Sequence, residues 1–95
     1  MLNKNKMDSK HLNIRVYGEV QGVFFRDSVR RKAEELGIKG FARNEPDESV
    51  YIEAEGLQEV LEKLVNWCWE GPESARVAKV EIEEGDTKNF EDFRV

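Results

Sequence analysis

Apolar and polar residues alternate over Leu12-Asn13-Ile14-Arg15-Val16-Tyr17, with Leu12, Ile14 and Val16 on one side. A period of two is that of a strand with one buried face. Gly18 is expected to break this strand, and Gly18-Glu19-Val20-Gln21-Gly22-Val23 reads as a loop. The period then changes: Phe25, Val29, Ala33 and Leu36 fall on one helical face. Asp27 and Ser28 suit its cap or first turn, and Gly37 its end. A second strand is predicted over 38–44, a tight connection over 45–48, and a third strand where Val50, Ile52 and Ala54 alternate with Tyr51, Glu53 and Glu55. Gly56 is expected to open a second helix. Leu57, Val60, Leu61, Leu64, Val65 and Cys68 form its apolar stripe, and Gly71-Pro72 stops it. Ala78, Val80 and Ile82 mark a fourth strand, and residues 90–95 a short fifth.

The order β-α-β-β-α-β, followed by a short β, predicts an α+β ferredoxin-like split βαβ sandwich. Two helices would cover one face of a mostly antiparallel sheet. That architecture hosts many functions, so function has to come from particular residues.

Composition narrows the field. Ninety-five residues suffice for one small domain, which buries about 60–65% of the surface its unfolded chain exposes. Residues 1–10 are polar and expected to form a flexible tail, with 11–95 as the domain and Met7 as an alternative start. No apolar run is long enough to span a membrane, and the N-terminus lacks the pattern of a secretory signal. A single cysteine cannot form an internal disulfide, which fits a cytoplasmic protein. The net charge of −5 disfavours nucleic acid as a partner, and there is no aromatic RNA-binding motif on a basic face. One cysteine also excludes the Cys-x-x-Cys of metal transfer. A monomer is expected.

The segment Gly18-Glu19-Val20-Gln21-Gly22-Val23-Phe24-Phe25-Arg26 carries candidate chemistry. Two glycines between strand and helix allow backbone N–H groups to converge beside a helix N-terminus, which makes an anion site. The Arg26 fork can hold two phosphate oxygens at once. Two readings stand here: a small phosphate cradle, or a glycine-rich turn with a surface arginine. The Gly-Lys-Ser/Thr ending of a nucleoside triphosphate loop is missing.

Val16-x-Gly18-x-Val20-Gln21-Gly22-Val23-x-Phe25-Arg26 resembles the signature of the acylphosphatases. A second signature follows in Gly40-Phe41-Ala42-Arg43-Asn44, with Val50 and Gly56 at matching spacing. The resemblance spans roughly residues 11–95. It implies a hydrolase that splits acyl phosphates into a carboxylate and inorganic phosphate, without cofactor or metal. It further implies that Arg26 binds phosphate, that Asn44 orients the attacking water, and that the amides of Glu19, Val20, Gln21, Gly22, Val23 and Phe24 line the phosphate site. The chemistry agrees. A carboxylate leaves readily, so positioning and charge stabilisation suffice. Competing expectations are a binding module of this fold without turnover, and the leading segment of a larger carbamoyl-transferring protein, for which 95 residues leave no room.

The chain departs from the family pattern at Glu48, where glycine is usual in a turn expected to need φ > 0. It departs again at Glu19, whose side chain is expected to face solvent. Simpler roles are expected for other residues. Cys68 should be a buried structural thiol and His11 a solvent-facing histidine. Trp67 and Trp69 should pack at the helix end. Arg30, Arg31 and Lys32 should form an ion-paired face. Glu81, Glu83, Glu84 and Asp86 should form an acidic edge that discourages strand pairing.

Overall fold

The computed structural model describes residues 9–95. Strand β1 spans Ser9–Glu19, helix α1 Phe25–Leu36, β2 Lys39–Asn44, β3 Val50–Leu57, helix α2 Gln58–Glu70, β4 Arg76–Gly85 and β5 Phe93–Arg94. The sheet order is β4-β1-β3-β2-β5. Every pairing is antiparallel except β2 with β5. This is the expected α+β architecture, with a parallel edge strand added.

Register puts the apolar positions on one face. Ile14 faces Ile52 and Ile82, and Ile52 faces Ala42. Phe25, Val29 and Ala33 of α1 and Leu61, Leu64 and Cys68 of α2 are buried against this face. The rings of Phe25 and Trp67 meet at 5.5 Å between the helices, while Trp69 remains exposed. Burial pushes the Cys68 thiol up to about 12, so it stays protonated and inert.

Three expectations need correction. Gly18 does not end the first strand; β1 runs through it to Glu19, with a register shift at Tyr17/Gly18. A β-carbon at Gly18 (φ 132) would collide with the Arg76 carbonyl, so glycine lets β4 pass close by. At the other end Ser9 and Lys10 pair with Leu57 and Gly56. Those two residues belong to the sheet, and the rest of the expected tail lies outside the described residues. Gly56 lies inside β3 rather than opening α2; the strand runs on to Leu57, which therefore belongs to the sheet and not to the α2 stripe. Asp27 lies in the first turn of α1, as expected, and the cap position before it is taken by Phe24, with no side-chain cap bond.

His11 was expected to face solvent, yet it is 1% exposed. The cause is tertiary. β4 and β5 lie at opposite edges of the sheet, so residues 86–92 must cross its outer face. Phe90 from that crossing stacks on His11 at 5.9 Å and meets Phe41 edge-on at 5.8 Å. Beneath it His11 Nδ1 lies 2.7 Å from Glu55 Oε2, and Nε2 lies 2.9 Å from Asn13 Oδ1 and 3.2 Å from Glu53. The Lys88 and Phe90 backbone amides donate to Glu55, and Lys88 Nζ donates to Glu53. Burial pushes both carboxyls up, but these donors outweigh it and hold both below the usual carboxylate value.

Candidate active site

Val20 and Phe25 are both buried and pin the two ends of the loop that joins β1 to α1. Between them the chain turns sharply. Gly22 has φ 74 with open space around it, so its backbone angle, not crowding, calls for glycine. Phe24 adopts a left-handed conformation (φ 63, ψ 25). Its carbonyl accepts the first helical bond, from Ser28 N–H at 3.0 Å. Arg26 follows in the first turn of α1, where unpaired N–H groups and the helix dipole favour an anion.

Asn44 is the last residue of β2, opposite Val50. It lies two residues beyond buried Ala42, hence on the helix side of the sheet. The turn after it is held internally. Glu45 N–H donates to the Ser49 carbonyl at 2.9 Å and Glu48 N–H to the Glu45 carbonyl at 3.0 Å. Ser49 N–H and Oγ–H both donate to Asp47 Oδ1, and these bonds hold the Asp47 carboxyl below its usual value. Glu48 has φ 73, the left-handed geometry expected from the sequence.

A cleft of about 490 Å³ brings these parts together; Val20, Gly22, Phe24, Arg26 and Asn44 line it. Phe25, Asp27 and Val95 complete the lining. None of the ion pairs among the described residues involves Arg26. Asp27 is engaged by Arg30 at 2.7 Å and Arg31 at 3.1 Å, as the expected ion-paired face requires. Lys32 pairs within the same helix, with Glu35 at 3.3 Å. The exposed guanidinium of Arg26 therefore remains available to a ligand.

Three of the residues singled out in the loop do not line the cleft. Glu19 is exposed and paired across the sheet with Arg76. Val23 is half-buried against the core. Gln21 turns its side chain away, and its Nε2 donates to the carbonyls of Glu45 at 2.9 Å and Ser49 at 3.0 Å. This clamp ties the loop to the turn that follows Asn44. Sequence reasoning gave Gln21 only its backbone amide and missed this role, because the partner carbonyls come from a distant hairpin. It also missed Val95, which enters the cleft only because β5 pairs with β2. Asp27 was legible as the neighbour of Arg26 in the helix's first turn.

Two helices on one face of a mixed sheet, with a cleft between a helix N-terminus and a hairpin end, define an α+β protein of the ferredoxin-like class. Comparison with known proteins refines this. The acylphosphatase family profile matches residues 12–95. An acylphosphatase of Rubrobacter xylanophilus is 48% identical over 87 residues, covering 87% of this chain and 79% of that protein. One from Pelotomaculum thermopropionicum is 42% identical over 90 residues, covering 94% and 98%. The solved structure of an acylphosphatase from Coxiella burnetii superposes with a TM-score of 0.93 at 39% identity, covering 98% of each chain. The chain belongs to the acylphosphatase family, enzymes that hydrolyse acyl phosphates.

Proposed function

We propose that the cleft holds the phosphoryl group of an acyl phosphate on the Arg26 guanidinium and the backbone amides of the loop residues that line it, Val20, Gly22 and Phe24, and that Asn44 aims the attacking water. The Asn44 side-chain oxygen accepts a hydrogen bond from that water and directs its lone pair at phosphorus. Asparagine is no base, so it orients and does not deprotonate. The water oxygen bonds to phosphorus as the bond to the acyl oxygen breaks, and the carboxylate departs with the electron pair. The proton passes to phosphate or solvent. Arg26, the loop amides and the N-terminus of α1 stabilise the charge on the phosphoryl oxygens. No covalent intermediate and no metal are needed.

The observation that carries this reading is that Arg26, Gly22 and Asn44, from three separate elements, line one cleft. The Gln21 clamp supports it by fixing the loop against the Asn44 hairpin. Steady-state hydrolysis of an aryl acyl phosphate tests it. Activity should persist in chelator, and inorganic phosphate should inhibit competitively. Asn44→Ala should lower kcat by roughly 10²-fold, the scale of a lost positioning contact, with phosphate inhibition as in the wild type. Activity abolished by chelator and restored by a divalent cation removes the metal-free mechanism. Wild-type turnover in Asn44→Ala removes the role of Asn44.

A further inference from the structure

Four large hydrophobic side chains are exposed among the described residues: Phe24, Trp69, Ile82 and Val95. Two of them, Phe24 and Val95, line the single cleft that holds Arg26 and Asn44. Phe24 stands out further. The residue is 80% exposed, and its backbone is left-handed with no glycine or asparagine to ease it. Its neighbours do the packing: Phe25 is buried in the core and Val23 packs against it. The fold thus keeps an aromatic ring in water, at a strained position, on the wall of the site. Neither cost is offset by packing among the described residues, whereas a ligand with an apolar part would offset the exposure.

The phosphoryl end of the substrate is small and fully polar. It belongs with Arg26 and the loop amides, which leaves the acyl group to extend past the cleft wall. We infer that Phe24, together with Val95, forms an apolar lip that contacts the acyl half of the substrate. The site thereby favours acyl phosphates with a large apolar acyl group, aromatic ones above all, over acetyl-sized ones. The inference rests on the acyl phosphate reading above. Phe24 touches no reacting bond. Its contact is made in the ground state and the transition state alike, so it acts mainly on KM.

The test compares kcat/KM for benzoyl phosphate and acetyl phosphate in the wild type, Phe24→Gly and Phe24→Leu. Glycine suits φ 63, so that variant folds without the ring. Taking the benzoyl-to-acetyl ratio in each protein divides out intrinsic reactivity, and with it any effect on phosphoryl binding. The ratio should fall about 5- to 10-fold in Phe24→Gly, chiefly through KM, as for a partly buried apolar contact. Phe24→Leu should be intermediate. A ratio unchanged in both variants, with a wild type that hydrolyses both substrates, overturns the lip. A wild type that hydrolyses neither substrate overturns the proposed reaction and the lip with it.

Discussion

His11, Glu53 and Glu55 lie on the outer face of the sheet, and Arg26 and Asn44 lie on its helix side. Both groups gather polar side chains around one sheet, yet they are treated in opposite ways. The outer cluster is buried, and its side chains are hydrogen-bonded to one another and to the 86–92 crossing. The cleft residues are exposed, and among the described residues Arg26 has no carboxylate partner while Arg30 and Arg31 share Asp27. Buried charge is tolerated only when paired. A charge meant for an incoming anion must stay unpaired, and solvent makes that affordable. The outer cluster therefore spends its charges on the fold, and the cleft reserves its charge for a ligand.

The sharpest way to break this contrast is at Arg26. Arg26→Lys keeps the charge and loses the planar fork. Turnover of an acyl phosphate should fall by about 10²- to 10³-fold, the scale of a lost charge-stabilising donor, while the circular dichroism spectrum and unfolding midpoint stay put. A stable, fully active lysine variant would mean that the fork plays no part.

His11→Ala should do the reverse. It strips a partner from two buried carboxylates, which should cost about 3 kcal/mol of stability. The urea midpoint should fall while kcat/KM, measured well below that midpoint, holds. A drop in activity without a drop in stability would join the two regions that the contrast separates.

Acid should distinguish them as well. The Glu53 and Glu55 carboxyls are held below their ordinary value of 4.5 in the folded protein. Their contribution to stability is therefore present above that value and is lost as pH falls through the folded values. Urea midpoints should decline below about pH 4.5. In the Glu53→Gln, Glu55→Gln double variant that decline should be shallower. An equal slope in both proteins would show that the acid sensitivity arises elsewhere.

The smallest effect belongs to the turn between the two regions. Glu48 sits at φ 73, where a β-carbon is disfavoured. Glu48→Gly should raise stability by about 0.5–1 kcal/mol with turnover unchanged. A lower midpoint would mean that the turn has come to depend on the side chain.

The sequence by itself determined the element order, the apolar face of each element and the two motifs. These depend on local period and on residue type, which the chain carries in linear order. It also located Arg26 at a helix start, Asn44 at a strand end, and the left-handed turn position at Glu48. The tertiary structure decided everything that needed a partner from far along the chain. The burial of His11 depends on residues 86–92 crossing the sheet. The passage of β1 through Gly18 depends on the Arg76 carbonyl beside it. The second role of Gln21 depends on carbonyls in the β2–β3 turn, and the place of Val95 at the cleft depends on β5 pairing with β2. A single chain shows which side chains are polar or apolar, but burial and hydrogen bonding are properties of pairs. Pairs distant in sequence become readable only once the sheet has set its register.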